Sequence, residues 1–234
     1  LKLHALSRHQ VKAISFDLDD TLWPIAPVIR AAEQALQDWF AREHPQVSAR
    51  FDLAGMRAVR EEVAAEMPHL AHDLSAIRLR SIERLLVLGG SDSNMASRGF
   101  EAFYAARNRV ELFPGALLGL ERLAGHFRLF SLTNGNADLK QVGLAQHFEL
   151  SFSARSMGFA KPDPRGFRAV AEAAGLKPEQ VLHVGDHPEQ DVSGALAAGM
   201  QAVWLNREAS PWPGEGPEPV SVRCVASLAA LLLA

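Results

Sequence analysis

The hydrophobic pattern changes its period twice along the chain. Residues 11–16, Val-Lys-Ala-Ile-Ser-Phe, form a short apolar and β-branched run that ends in acidic residues, which predicts a buried strand. Between residues 24 and 110 the strand signal gives way to helical stripes. Ala31, Ala35, Leu36, Trp39 and Phe40 share one helical face that stops near His44-Pro45. Met56, Val59, Val63 and Met67 form a second stripe closed by Pro68. Leu70, Leu74, Ile77, Ser81, Leu85 and Leu88 form a third that ends at Gly89-Gly90, and Phe100, Phe103 and Tyr104 belong to a fourth.

After Phe113-Pro114-Gly115 the pattern alternates. Helices are expected over 116–124, 137–144, 164–175 and 192–198, and strands over 127–132, 149–152, 181–184 and 202–205. Such alternation calls for a parallel sheet with helices on both faces, and it makes the helical stretch an insertion after the first strand. The expected organisation is a core over 1–22, a helical insertion over 23–110, and the rest of the core over 111–234. The Pro- and Gly-rich segment 210–219 predicts a surface loop, and the apolar 227–234 a final docked helix.

Composition narrows the function classes. A hydrophobic content of 48% with 22% charged residues is ordinary for a globular chain, and the net charge of −3 argues against a nucleic-acid partner. The opening residues, 1–8, lack the apolar core of a signal peptide, and 227–234 is too short to span a bilayer. The expectation is a cytoplasmic protein with no membrane partner. The single cysteine, Cys224, reads as a small apolar residue near a C-terminal strand, in a chain without an internal disulfide. Only two threonines, Thr21 and Thr133, and five lysines among 24 basic residues are present. A threonine or lysine kept in such a chain is a candidate for work its substitutes cannot do.

The polar residues of interest fall at predicted strand ends, where parallel sheets bind ligands. The first strand ends in Asp17-Leu18-Asp19-Asp20-Thr21 and the second in Thr133-Asn134-Gly135. Lys161 lies in the loop after the third, and the fourth ends in Gly185-Asp186 with Asp191 beyond. Any one of these could be a capped turn or a solvated loop; four together predict a phosphoryl-transfer site. Asp17 is the candidate nucleophile, expected to be ionised at neutral pH from the ordinary aspartate pKa near ~3.9. Asp19 is the candidate acid that protonates the leaving alkoxide and later the base towards water. Asp17, Asp186 and Asp191 offer the hard oxygen ligands that suit Mg²⁺. The Thr133 hydroxyl, the adjacent backbone N–H of Asn134 and Lys161 are expected to hold phosphoryl oxygens.

These residues resemble the motifs of the haloacid dehalogenase-like hydrolases. Asp17, Asp19 and Thr21 match the first motif, Thr133 the second, Lys161 the third, and Gly185, Asp186 and Asp191 the fourth. The resemblance covers essentially the whole chain. It implies a Rossmann-like core with an inserted α-helical cap, an Asp17 nucleophile, and Mg²⁺ held by Asp17, the Asp19 carbonyl and Asp186, with Asp191 in support. Runs 14–22, 72–83, 133–137 and 182–204 are further similar to bacterial phosphatases of FMN and of the phosphorylated ribitylaminouracil precursor of riboflavin. The partner this implies is a small phosphorylated metabolite. One departure is His187, where the family often has a second acidic residue.

In the cap, Arg78 and Arg80 are candidates for substrate contact, against the alternative of a solvated helix face. Trp23 could stack on a flat substrate ring, or it could simply pack. Competing readings of the whole chain are a phosphomutase, a dehalogenase with no need of an acid at Asp19, and a non-catalytic phosphate-binding regulator.

Overall fold

The computed structural model describes residues 6–214 and 217–234, so 1–5 and the loop positions 215–216 lie outside the described residues. In chain order, β1 (Ala13–Phe16) is followed by five helices: α1 (Ile25–Glu43), α2 (Pro45–Arg50), α3 (Leu53–Glu66), α4 (Leu74–Leu88) and α5 (Ala96–Arg107). Then come α6 (Ala116–Ala124), β2 (Arg128–Thr133), α7 (Leu139–Val142), β3 (Leu150–Ser153), α8 (Ala154–Met157) and α9 (Pro164–Ala174). The chain closes with β4 (Val181–Gly185), α10 (Gly194–Ala197), β5 (Gln201–Leu205), β6 (Ser221–Val222) and α11 (Val225–Leu233). No helix among the described residues is long and apolar enough to cross a membrane.

The six strands form one parallel sheet in the order β3-β2-β1-β4-β5-β6. This is the doubly wound, Rossmann-like order, in which connections leave the first strand in opposite directions. The crevice where such folds bind ligands therefore opens between the carboxyl ends of β1 and β4. All four residues of β1 are buried, as a central strand of a covered parallel sheet requires. Phe130, Leu132, Phe167, Val170, Val181 and Met200 belong to the core of this unit.

Two compact units divide the chain. One holds the sheet and comprises residues 1–24, 111–135 and 143–234; the other is helical and comprises 25–110 and 136–142. The helical unit has its own core around Leu36, Trp39, Phe40, Ile82, Leu85 and Phe103. A Cβ at Gly99 would come 2.8 Å from the Trp39 ring, so this glycine is what lets α5 lie so close to α1. The segment around α7 groups with the helices because Asn108 Oδ1 accepts from the Asp138 N–H at 2.8 Å and Arg107 Nε donates to Asn136 Oδ1 at 3.2 Å.

Local chemistry shifts some boundaries. The third stripe predicts a helix that includes Leu70, but a 3₁₀ turn, Pro68–Leu70, ends before α4 begins. The Asp73 carboxylate fixes that start by accepting the Ala76 N–H at 2.9 Å. Cys224 follows the C-terminal strand β6 by two residues, as expected, but it does more than fill space: it is half-buried and caps α11, its sulfur accepting the Ser227 N–H at 3.4 Å.

Candidate active site

The segment after β1 folds back on itself. The Asp17 N–H donates to the Val184 carbonyl at 2.9 Å, tying the end of β1 to β4. Thr21 and Leu22 then both donate to the Leu18 carbonyl, and Asp20 takes a left-handed φ of 57°, which aspartate tolerates better than most residues. This tight loop puts Asp17 inward and Asp19 half-exposed. The Trp23 indole N–H donates to Asp19 Oδ1 at 2.8 Å and gives that carboxylate a fixed direction. Trp23 itself is fully buried, so it presents no ring face for substrate stacking, and the packing alternative describes it.

A buried polar chain runs inward from Asp17. Lys161 Nζ donates to Asp17 Oδ1 at 2.6 Å and to Asp191 Oδ1 at 2.5 Å. His183 Nε2 lies 3.2 Å from Asp191 Oδ1, and His183 Nδ1 lies 3.1 Å from Ser15 Oγ. The ionised Asp191 assigns the ring proton to Nε2, which leaves Nδ1 to accept from the serine hydroxyl. Ser15 and His183 are register partners on β1 and β4, which is why they meet. Asp191 Oδ2 accepts the His187 N–H at 2.9 Å. Both of its oxygens are thus occupied, which suits a supporting role.

Charge follows from this geometry. Burial raises the proton affinity of Asp17; Lys161 opposes that, Asp191 and Asp186 reinforce it, and the net shift is upward. Burial thus works against the ionised form expected at neutral pH, and the Lys161 ammonium at 2.6 Å is what opposes it. Asp186 is pushed up to about 6, by burial first and then by the charge of Asp191. Burial alone would lower Lys161, but Asp17 and Asp191 outweigh it and push it up to about 12. Asp191 is held well below the usual carboxylate range: burial works against this, but Lys161 and His183 prevail.

Asp17, Asp186 and Asp191 each offer an oxygen within 4.8 Å of the others. Three carboxylates beside the Lys161 ammonium, two of them with raised proton affinity, form an electrostatically incomplete cluster that fits a hard divalent cation such as Mg²⁺. Thr21 Oγ1 donates to Asp186 Oδ1 at 3.1 Å and aims it. Gly185 is required here, since a Cβ would lie 2.2 Å from Asp191 Cγ.

The remaining expected residues are placed as follows. Thr133 is buried, and its hydroxyl oxygen accepts the Gly135 N–H at 2.9 Å. The Asn134 side chain clamps the backbone of Lys161, accepting its N–H at 2.7 Å and donating to its carbonyl at 3.0 Å. That side chain therefore positions the lysine. His187 caps the π-helical turn Pro188–Ser193, its Nδ1 accepting the Glu189 and Gln190 N–H groups at 3.3 and 3.2 Å.

In the helical unit, Arg80 is exposed and pairs with Glu83 at 2.8 Å, as a solvated helix face would. Arg78 is buried, with its guanidinium 4.2 Å over the Phe103 ring and 3.7 Å from Glu33. It lines a cavity of about 270 Å³ together with Ile29, Leu74, Ile77 and Asn136. Burial, then repulsion from Arg60, lowers its pKa to about 10.

Sequence reasoning missed Ser15, His183, Trp204 and Arg207. The signal for the first two was a polar residue inside each of two apolar strand runs that a parallel sheet would bring together. Trp204 Nε1 donates to the Asp186 carbonyl at 2.8 Å, and no pattern within its own strand announces that contact.

Residues 11–199 match the family described as haloacid dehalogenase-like hydrolase. The chain is 33% identical over 203 residues to the 5-amino-6-(5-phospho-D-ribitylamino)uracil phosphatase YigB of Escherichia coli, covering 85% of each. It is 34% identical to the phosphoserine phosphatase of Thermus thermophilus, covering 89% of this chain and 92% of that one. A solved structure described as a 2-haloacid dehalogenase from Pseudomonas syringae pv. tomato superposes with a TM-score of 0.88 at 36% identity, over 95% of this chain and 98% of the other.

Proposed function

This chain belongs to the haloacid dehalogenase-like hydrolases, and from that membership we propose that it is a Mg²⁺-dependent phosphatase of small phosphorylated metabolites. Asp17 is the nucleophile. Its carboxylate oxygen forms a bond to phosphorus as the bond from phosphorus to the leaving oxygen breaks, giving an aspartyl-phosphate. Asp19 delivers its proton to the leaving alkoxide. It then takes a proton from water, whose oxygen attacks phosphorus, releasing inorganic phosphate and restoring the Asp17 carboxylate. Lys161, held by Asn134, and Thr133 orient the phosphoryl group and balance its charge. Asp17 and Asp186 would hold Mg²⁺ with the Asp19 carbonyl, and the ion, when bound, supplies positive charge where the carboxylates and phosphoryl oxygens crowd.

One observation carries the choice of phosphoester over carbon–halogen chemistry. Asp19 stands two residues from the nucleophile, with its carboxylate half-exposed and fixed by the Trp23 indole at 2.8 Å. Halide needs no proton on leaving, so dehalogenation gives such an acid nothing to do. The solved relative described as a haloacid dehalogenase, at 36% identity, keeps the second reading specific. The two phosphatase relatives, at 33% and 34% identity, support the first.

The finer reading, that FMN or phosphoribitylaminouracil is a substrate and that the helical unit acts as a cap selecting it, rests on the relative described as a phosphatase of the latter compound. Within the matching stretch, Asp73 and Ser81 satisfy backbone groups of α4, whereas Arg78 lines a cavity. Arg78 is therefore the residue of that stretch we assign to substrate selection. The test is a panel of FMN, phosphoserine, sugar phosphates and 2-chloropropionate with Mg²⁺. Hydrolysis of phosphomonoesters without chloride release is expected. Chloride release without phosphate release would overturn the proposal, and inactivity on FMN and ribityl phosphates would remove only the finer reading.

A further inference from the structure

The segment following β5 reaches back to the nucleophile loop from a part of the chain that carries none of the four motifs. Asn206 organises this turn, donating from Nδ2 to the Ser210 carbonyl at 2.8 Å and accepting the Ser210 N–H at 3.0 Å. The next residue, Arg207, is presented by it. One guanidinium nitrogen, Nη2, donates to the Thr21 carbonyl, and Nη1 donates to the Arg223 carbonyl at 3.1 Å. The guanidinium centre lies 3.6 Å from the centroid of the Phe113 ring. Phe113 is itself tied to the loop, its N–H donating to the Leu22 carbonyl at 2.9 Å.

These contacts end on Asp186 by two routes. Thr21, whose carbonyl Arg207 holds, donates its hydroxyl to Asp186 Oδ1 at 3.1 Å. Trp204, three residues before Arg207, donates to the Asp186 carbonyl at 2.8 Å. The carboxylate is thus aimed from one side and its backbone pinned from the other, both from one short stretch. A cavity of about 520 Å³ lined by Asp20, Asp186, Trp204 and Arg207 lies beside this arrangement, so the carboxylate is not held by dense packing alone.

We propose that Arg207, acting with Trp204, is a positioning residue that sets the Mg²⁺ affinity of the site by fixing Thr21 and Asp186. The contacts of its guanidinium are to two backbone carbonyls and an aromatic ring. The inference rests on the reading of the carboxylate cluster as a Mg²⁺ site. Outer partners of metal ligands control affinity because each wrong orientation of a ligand must be corrected at the expense of binding energy.

The test is the Mg²⁺ dependence of thermal stability in the intact protein without substrate, alongside phosphomonoester kinetics. For Arg207→Met, the Mg²⁺ concentration at half-maximal thermal shift should rise by about tenfold or more. At saturating Mg²⁺, kcat and KM should stay within about twofold of the parent, and Arg207→Lys should recover part of the Mg²⁺ midpoint. A folded Arg207→Met protein with lowered stability but an unchanged midpoint would show a merely structural arginine and overturn the inference. Should that variant not fold, Trp204→Phe, which removes the indole donor while keeping an aromatic ring, should shift the midpoint in the same direction; no shift there overturns the inference too. A parent protein with no Mg²⁺-induced shift would bring down the metal reading and this inference together, whereas a parent shift with unchanged variants would sink this inference alone.

Discussion

In the proposed mechanism Asp17 is a nucleophile in a place that disfavours its anion. Burial raises its proton affinity, and the ammonium it contacts, that of Lys161, is shared with Asp191 at 2.5 Å. A further cation would favour the anion of such a site, which is the electrostatic reason for proposing Mg²⁺ here. In the proposed mechanism Asp19 is the residue whose role separates the two steps. Asp19→Asn keeps an oxygen for the Trp23 indole but can neither give nor take a proton. On p-nitrophenyl phosphate, whose leaving group needs no proton, it should show a burst of p-nitrophenolate stoichiometric with enzyme, followed by turnover slowed ~10²–10⁴-fold. A slow release with no burst would contradict its assignment as the base of the second step. His183 gives a second prediction. Burial lowers its pKa, so below the ordinary value near ~6.5 the unfolded chain binds a proton that the folded chain refuses. Its contribution to stability is therefore intact above that pH and lost as pH falls. Relative to His183→Gln, the parent should lose up to ~1.4 kcal/mol per pH unit below pH ~6.5 in urea unfolding; parallel curves would refute it. The motif carboxylates were legible because charge is expensive at the end of an apolar run. His183 was not, because a single histidine in a strand acquires meaning only when Ser15 and Asp191 are placed against it.

At the level of elements, the site is a consequence of strand order. β1 and β4 are adjacent in the sheet although the whole helical unit and two further strands lie between them in sequence, and the loops that leave them carry Asp17 and Asp186. Gly185 closes β4 with Asp191 against its Cα. Gly185→Ala should push Asp191 off Lys161, cost ~1–3 kcal/mol by overpacking, and abolish or sharply weaken the Mg²⁺-induced thermal shift. Parent-like unfolding with a normal Mg²⁺ response would show that this backbone approach is not what the site depends on. The long amphipathic helices and the five longer strands were readable from period alone. Some short elements were not, β6 with two residues and α8 with four, whereas the four-residue α7 and α10 fall inside the longer helices expected over 137–144 and 192–198. The start of α4 moved from the stripe to a cap, because the Asp73 side chain satisfies a free N–H where Leu70 only continued a pattern.

For the whole molecule, the division into a sheet unit and a helical unit follows the change of hydrophobic period, except at 136–142. That segment lies between two core strands in sequence yet groups with the helices, through Asn108 and Arg107. Polar side chains, Ser75 among them, tie the segment there, and hydrophobic periodicity does not report on them. Family membership and the parallel sheet fix hydrolase chemistry at the carboxyl ends of the strands; that Arg78 selects the leaving group is part of the proposal and rests on the cavity it lines. The central claim is covalent phosphoryl transfer to Asp17, and one measurement addresses it directly. The enzyme is mixed with Mg²⁺ and a phosphomonoester labelled in its phosphoryl group, quenched in acid during turnover, digested and mapped. The account predicts label on the peptide that carries Asp17, and none in Asp17→Asn, which should also be inactive. Label on another residue, or undiminished hydrolysis by Asp17→Asn, would contradict it.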